Sequence, residues 1–154
     1  MTRPQAGEPA PRFEMTADDG SRVSSDSLAG RRFVLYFYPK DDTPGCTTQA
    51  CLLRDNWEAM EATGIELFGV SPDSVASHVK FREKYQLPYP LLSDAGHAVA
   101  NAFGVWVEKT NYGRTYQGVE RTTFVIGADG RIERVLPQVK PTEHVDLLLG
   151  ALAV

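Results

Sequence analysis

Hydrophobic and polar positions change their period several times along the chain, and each change predicts an element. Residues 33–38 read FVLYFY, a run that is apolar on both faces, as in a central strand covered on both sides. Residues 65–70, IELFGV, form a second run of this kind. Between the two runs, apolar residues recur at intervals of three and four from residue 46 onward, which predicts one helix capped by Gly64.

The remaining pattern predicts shorter strands, further helices and one polar loop. Residues 13–16 and 21–24 flank an Asp-Gly turn, which is typical of a hairpin. The later segments are a helix after residues 71–73, a short strand at 91–93, a helix near 97–103, a loop with short strand pieces at 108–118, a strand at 122–126 paired with 131–136, and a last helix from 141. Alternating strands and helices predict an α/β fold: a central mixed sheet flanked by helices, with an N-terminal β-hairpin extension.

Length and composition predict one globular domain over residues 1–154. The first 12 residues contain three prolines and few apolar side chains, so we expect them to form an extended arm on the surface. The formal net charge is -4 and no basic stripe is present, which argues against a nucleic-acid partner. No apolar run approaches the roughly 18–20 residues that cross a bilayer, and the N-terminus lacks an apolar leader. We therefore expect a cytoplasmic protein with no membrane partner.

The chain contains two cysteines, Cys46 and Cys51, too few for a disulfide framework. A close pair in a reducing compartment indicates catalytic, redox or metal chemistry, although two unrelated buried thiols are the simpler alternative. Cys46 follows a Pro/Asp/Gly turn and falls in the first turn of the predicted helix. Unpaired N–H groups and the helix dipole favour a thiolate there. The Thr43 oxygen, three residues earlier, could cap this helix or bond the sulfur.

The spacing of the two cysteines limits how they can react with each other. On a regular helix, Cα atoms at positions i and i+5 lie roughly 8–9 Å apart and on different faces. A disulfide needs less than about 7 Å. Either Cys46 and Cys51 never pair, or the first turns of the helix unwind when they do. The absence of a C-x-x-C motif argues against simple disulfide exchange.

Ligand chemistry leaves little trace in the sequence. The three histidines, His78, His97 and His144, have no ligand-like spacing, and no glycine-rich phosphate loop is present. Two cysteines with one distant histidine could bind zinc, but C-x4-C without a second pair is a weak signal. We therefore predict neither a cofactor nor a metal ion.

Several motifs, taken together, resemble one known family. Pro39, Thr43 and Cys46 match the P-x-x-x-T-x-x-C signature of the peroxiredoxins. The longer run YFYPKDDTPGCTTQAC resembles the peroxiredoxin Q group, also called bacterioferritin comigratory protein. The further matches, in order, are GVSPDS (69–74), LPYPLLSD (87–94), FGVW (103–106) and RTTFVIGADGRI (121–132).

The resemblance implies a thioredoxin-like fold and a thiol-specific peroxidase that reduces hydrogen peroxide and organic hydroperoxides. Cys46 matches the peroxidatic cysteine, which is oxidised to a sulfenic acid, and Cys51 matches the resolving cysteine of an intramolecular disulfide. Arg121 matches the family's arginine and would stabilise the thiolate and the developing charge on the peroxide. Thr43 would orient the peroxide, and Pro39 would shield the thiolate from water.

The same resemblance implies thioredoxin, or a similar dithiol, as the reductant. It also implies a monomer, with a weak homodimer as the alternative. Two other functions stay open from the residues themselves: a thiol–disulfide oxidoreductase, and a thioredoxin-like binding module without turnover. Peroxide-dependent oxidation of a thioredoxin system separates the three, because only a peroxidase requires peroxide for it.

Overall fold

The computed structural model describes residues 3–152 of the chain. The ends of the predicted domain and arm, residues 1–2 and 153–154, lie outside this range. The elements of the described part are β1 (Glu14–Ala17), β2 (Arg22–Ser24), β3 (Phe33–Phe37), α1 (Pro44–Asp55), α2 (Trp57–Glu61), β4 (Glu66–Ser71), α3 (Val75–Tyr85), β5 (Leu91–Ser93), α4 (Ala98–Ala102), β6 (Trp106–Asn111), β7 (Arg114–Val119), β8 (Thr123–Ile126), β9 (Ile132–Leu136) and α5 (His144–Leu152).

Seven of these strands form one sheet in the order β2-β1-β5-β4-β3-β8-β9. β3, β4 and β5 run parallel to one another, while β8 is antiparallel to β3. The hairpin of β1 and β2 is antiparallel and joins the edge of the sheet through β5. The predicted mixed α/β sheet and the predicted N-terminal hairpin are both confirmed.

β3 lies in the middle of the sheet because both of its faces are apolar. All five of its residues are buried, and alternate side chains enter two separate hydrophobic clusters. Leu35 and Phe37 pack into the cluster beneath the N-terminal hairpin, whereas Val34 and Tyr36 pack into the cluster that contains Cys46. The sheet therefore divides the core into two halves, one on each face.

The helix that the sequence predicts after residue 46 is interrupted, so that prediction is wrong in part. α1 begins earlier, at Pro44, and ends at Asp55, and α2 starts only at Trp57. Asn56 lies between them with φ -111° and ψ 19°, and its side-chain amide donates to the Leu52 carbonyl at 2.8 Å. An asparagine that bonds the backbone in this way competes with helical geometry. The apolar spacing continues across the break and conceals it.

The prediction of a loop with short strand pieces at residues 108–118 is wrong in part, because strands occupy nearly all of the segment. This segment belongs to a hairpin of β6 and β7, which form a separate two-stranded antiparallel sheet. Tyr112 and Gly113 make its turn, both with positive φ, as a tight turn between antiparallel strands requires. Most of the hairpin is exposed on both faces. The sequence therefore lacks the alternation by which a half-buried strand is recognised.

The described part of the N-terminal segment runs along the start of β9. The Gly7 amide donates to the Ile132 carbonyl at 2.8 Å, and the Ile132 amide donates to the Glu8 carbonyl at 2.9 Å. Pro9 and Arg131 form an isolated bridge beside them. Within residues 3–152, none of the helices combines the length and the apolar character that crossing a membrane requires.

Candidate active site

Cys46 lies in the first turn of α1, where the helical pattern places it. β3 delivers the chain to a short loop, residues 38–43, and the helix starts immediately afterwards at Pro44. The cysteine is only 1% exposed. Cys51 is half-buried on the same helix, and both cysteines are free thiols. While α1 is intact, helical geometry holds their Cα atoms roughly 8–9 Å apart, beyond disulfide reach.

The Arg121 guanidinium lies directly against the Cys46 sulfur. Its Nη2 donates to Sγ at 3.1 Å, and its Nη1 donates to Gln49 Oε1 at 2.9 Å. Arg121 sits between β7 and β8, and its carbonyl accepts a hydrogen bond from the Val139 amide at 2.8 Å. The sheet thus brings together two residues that are 75 positions apart. The guanidinium is therefore placed to interact with negative charge on the sulfur.

Gly45 permits this close approach. A Cβ atom at position 45 would lie 2.8 Å from Arg121 Nη2, the nitrogen that contacts the sulfur. Such a contact is shorter than real Cβ atoms make. The sequence shows Gly45 only as part of a turn, but in the structure it provides the space in which the guanidinium rests.

A chain of buried polar groups continues behind Arg121. Gln49 is 1% exposed, and its Nε2 lies 3.0 Å from His144 Nδ1. His144 Nε2 lies 2.8 Å from Thr123 Oγ1, within a fully buried environment. Burial, and to a smaller extent the charge of Arg121, lowers the pKa of His144 to about 3. This histidine is therefore neutral at physiological pH.

Sequence reasoning missed Gln49 and treated His144 as an isolated histidine. The signal for Gln49 was available, because a residue three positions after Cys46 shares a helix face with it. His144 stands 95 residues further along the chain and begins α5. Only the packing of α5 against α1 brings it to the site.

Thr43 and Pro39, the other two motif residues, lie in the loop that leads to Cys46, and both are half-buried. Thr43 occupies the N-cap position of α1 with extended backbone angles, but its side chain makes no cap hydrogen bond. Its hydroxyl instead donates to the Lys40 carbonyl at 2.9 Å. In this conformation the Thr43 hydroxyl therefore fills neither of the two roles left open for it, since it neither caps the helix nor donates to the Cys46 sulfur.

Asp41, in the same loop, is bound to α3 by a buried network. Its carboxylate accepts from the Tyr38 hydroxyl at 2.5 Å, from Ser77 Oγ at 2.8 Å and from His78 Nδ1 at 2.7 Å. His78 Nε2 faces the Leu92 carbonyl at 2.9 Å. Because a carboxylate and a carbonyl only accept, both ring nitrogens donate. His78 therefore links the Asp41 carboxyl group to the Leu92 carbonyl of β5 inside the core.

Asp42 is bound to α3 as well, on the exposed side of the loop. Its carboxylate accepts from Lys84 Nζ at 2.8 Å and from the Tyr85 hydroxyl at 2.7 Å. These hydrogen bonds, with Lys84 the larger influence, lower the pKa of Asp42. Both acidic side chains near the cysteine are thus engaged with partners on α3, and the loop is fastened at two points.

The hairpin of β6 and β7 adds a second cation near the site. Lys109 is half-buried on β6, and burial lowers its pKa, with a smaller contribution from the charge of Arg121. A Cys46 thiolate acts in the opposite direction on the same amine. The charges of Arg121 and Cys46 thus both influence Lys109, which lies on a strand of the segment predicted as a loop with short strand pieces.

We also searched the described residues for side chains that are grouped as metal ligands. Across the described range, no group of three or more histidine, cysteine or acidic side chains is arranged to hold a metal ion. The site consists of one buried sulfur, one guanidinium in contact with it, and the start of a helix.

Comparison with known proteins gives consistent matches over almost the whole chain. Residues 6–135 match the model of the AhpC/TSA family. The chain is 46% identical to a putative peroxiredoxin bcp from Coxiella burnetii over 148 residues, covering 96% of this chain and 98% of that protein. It is 44% identical to peroxiredoxin Bcp of Escherichia coli K12 over 146 residues, covering 95% of this chain and 94% of that protein.

The fold is equally similar to a solved structure. The bacterioferritin comigratory protein of Xanthomonas campestris, for which alkyl peroxide reduction activity is described, superposes with a TM-score of 0.87 at 35% identity. The superposition covers 96% of each chain.

Proposed function

Because the chain belongs to the AhpC/TSA family, with Bcp and peroxiredoxin Q proteins as relatives, we propose that Cys46 is its peroxidatic thiol. Family membership confirms that the fold is thioredoxin-like and that the chain is a thiol peroxidase, with a hydroperoxide substrate and a thiol reductant. The two alternatives, a disulfide oxidoreductase and a non-catalytic binding module, gain no support from these relatives. The contact between Arg121 Nη2 and Cys46 Sγ at 3.1 Å carries the assignment of Cys46.

In the first step, the Cys46 thiolate attacks the terminal oxygen of the hydroperoxide. An S–O bond forms and the O–O bond breaks, so the sulfur is oxidised to a sulfenic acid while the peroxide is reduced to an alcohol or water. The leaving oxygen takes up a proton from solvent. Arg121 stabilises the thiolate and the negative charge that develops on the departing oxygen. Removing such a preorganised donor typically costs about 10²–10³ in rate.

The loop and helix start orient the peroxide for this attack. Free backbone N–H groups at the beginning of α1 can bind a peroxide oxygen. Thr43 reaches the same oxygen when its hydroxyl rotates away from the Lys40 carbonyl, its partner in the reduced protein. We propose that Pro39, half-buried in the loop that leads to Cys46, shields the thiolate from bulk water.

In the second step, Cys51 resolves the sulfenic acid. The Cys51 thiolate attacks the Cys46 sulfur, an S–S bond forms and the S–O bond breaks, and the oxygen leaves as hydroxide, which takes up a proton from solvent to give water. Since both residues lie on α1 beyond bonding distance, the helix must unwind between them first. An external dithiol then reduces the disulfide by exchange, and we propose thioredoxin as that dithiol.

The substrate and surroundings follow from the same chemistry. We propose that alkyl hydroperoxides are accepted together with hydrogen peroxide, because the described relative from Xanthomonas campestris reduces alkyl peroxides. A cycle that starts from two free thiols requires a reducing compartment, and we propose the cytoplasm. We propose a monomer, since exposed large hydrophobic residues in the described range are few: Tyr112, Tyr116 and Leu147.

Steady-state peroxide consumption with thioredoxin and its reductase tests this function, using hydrogen peroxide and one alkyl hydroperoxide. Wild type consumes both, and Cys46→Ser consumes neither. Cys51→Ser is the matched control, because it keeps the first oxidation but fails to turn over with thioredoxin. Mass spectrometry after one equivalent of peroxide shows a 46–51 link in wild type. Wild-type turnover by Cys46→Ser would overturn the assignment of Cys46, and absence of the link would overturn that of Cys51.

A further inference from the structure

The hydrogen-bond chain behind Arg121 extends from the reactive sulfur to the interior of the sheet. It runs from Cys46 Sγ through Arg121 to Gln49, then to His144, and ends at Thr123 on β8. Gln49, His144 and Thr123 are each at most 1% exposed. We propose that His144 is a positioning residue of the peroxidase reaction, which holds Gln49 and thereby keeps the Arg121 guanidinium on the sulfur.

The direction of every bond in this chain is fixed by its donors. Arg121 can only donate, so the Gln49 oxygen must face it as the acceptor. The amide nitrogen of Gln49 then faces His144 Nδ1 and donates to it, which leaves Nδ1 unprotonated. The proton of the neutral ring therefore lies on Nε2 and is donated to Thr123 Oγ1. No member can reverse its orientation without leaving a buried group unpaired.

This arrangement makes His144 an acceptor that leucine or phenylalanine could not replace. Without an acceptor at the Nδ1 position, the Gln49 amide would be buried without a partner, and an amide in that situation rotates or withdraws. Either movement removes the oxygen that holds Arg121 Nη1. The guanidinium would then keep its contact to the sulfur through Nη2 alone, with greater freedom to leave it.

The hydrogen bond between Gln49 and His144 also affects how readily Cys51 can react with the oxidised Cys46. This part of the inference rests on the proposed disulfide between Cys46 and Cys51. Gln49 lies between the two cysteines, in the segment of α1 that must unwind for them to meet. Unwinding therefore breaks the bonds from Gln49 to Arg121 and to His144. His144 thus favours the folded helix, in which Cys46 attacks peroxide, over the unwound segment, in which Cys51 resolves it.

Removing the acceptor nitrogen of His144 should consequently slow the oxidation of Cys46 and favour formation of the disulfide with Cys51. His144→Phe keeps a planar ring but has no nitrogen. We expect it to slow oxidation of Cys46 by hydrogen peroxide about tenfold. At high peroxide it should also form less sulfinic acid relative to disulfide than wild type, because the helix unwinds more readily. His144→Asn can place an acceptor oxygen near the former Nδ1 and should restore most of the oxidation rate.

A second variant separates this role from general destabilisation of α5. Leu148 is a fully buried residue of the same helix, and its apolar side chain takes no part in the hydrogen bonds that run from Cys46 to Thr123. Leu148→Ala should lower thermal stability while leaving both the oxidation rate and the ratio of sulfinic acid to disulfide near wild-type values.

The measurements are rapid-mixing oxidation by hydrogen peroxide and mass spectrometry of the oxidised products. Slower oxidation in His144→Phe, rescue in His144→Asn, and no effect in Leu148→Ala support the inference. Wild-type oxidation by His144→Phe, or an equal loss in Leu148→Ala, overturns it. A wild-type protein that fails to react with peroxide at Cys46 would instead overturn the proposed function.

Discussion

Gly45→Ala tests whether the space beside the sulfur is required for activity. The added methyl group would lie 2.8 Å from Arg121 Nη2, whereas ordinary contacts begin near 3.4 Å. The guanidinium must therefore retreat by roughly 0.6 Å. The nearest atom outside Arg121, Pro141 Cγ, would be at 3.7 Å, an ordinary contact distance. The substitution thus acts on one specific contact, the 3.1 Å bond between Arg121 and Cys46.

The expected decrease in the rate of Cys46 oxidation follows from the free energy that this hydrogen bond contributes. A hydrogen bond to a charged group contributes about 1.5–3 kcal/mol. If the retreat removes most of it from the transition state, oxidation of Cys46 slows about 10- to 100-fold. Stability should not fall with activity, because Gly45 does not have positive φ. Alanine in a helix is favoured over glycine by up to about 1 kcal/mol.

A matched control lies in α5. Gly150 is also a helical glycine without positive φ, but a Cβ atom there would meet nothing within 4 Å. Gly150→Ala should raise the free energy of unfolding by about 0.5–1 kcal/mol and leave the rate unchanged. Rapid mixing with hydrogen peroxide gives the rate, and urea denaturation gives the stability. A Gly45→Ala protein that oxidises at the wild-type rate would refute the reasoning.

Three further predictions concern stability. The pKa of His144 is about 3 in the folded protein, against an ordinary 6.5. Its contribution to the free energy of unfolding is therefore complete above pH 6.5, and it declines toward pH 3 by somewhat more than 1 kcal/mol per pH unit, because only the unfolded chain takes up the proton. Urea denaturation across this range should show the stability advantage of wild type over His144→Asn shrinking at that slope; a constant difference would contradict it. His78→Phe and Asp41→Asn each remove one partner of a buried hydrogen bond and should each cost about 1–3 kcal/mol, with the double variant costing clearly less than the sum; strict additivity would show that the pair does not interact. Tyr112→Asn should raise the free energy of unfolding by up to about 1 kcal/mol, because asparagine tolerates the positive φ of this turn better; thermal denaturation at a lower temperature than wild type would argue against strain there.

The elements of the fold could be predicted where a local hydrophobic pattern shows which residues are buried. β3 was predicted from a run that is apolar on both faces, and it is the central strand of the sheet. The break at Asn56 was missed because apolar residues keep helical spacing across it. The sequence predicts only short strand pieces within a loop where β6 and β7 form a hairpin, because most of its side chains are exposed and a polar sequence does not reveal the pairing.

The residues of the site likewise fall into two groups: those that a local motif identifies, and those that only the tertiary structure brings to the cysteine. The spacing of Pro39, Thr43 and Cys46 is local, so the motif could be read directly. Arg121 could be inferred only from a family resemblance, because nothing in its neighbourhood indicates that it meets a sulfur 75 residues away. His144 had no signal at all. Its partner on α1 lies 95 residues distant, and the two meet only after the tertiary structure has formed.

The division of the core by the sheet has a consequence for the proposed unwinding of α1. Cys46, Ala50 and Leu53 of α1 belong to one hydrophobic half, while the N-terminal hairpin and α4 pack into the other. In the proposed cycle, unwinding of α1 disturbs contacts within the first half. The second half contains no side chain of α1, so we expect its packing to preserve the architecture while α1 is unwound and to limit aggregation and proteolysis.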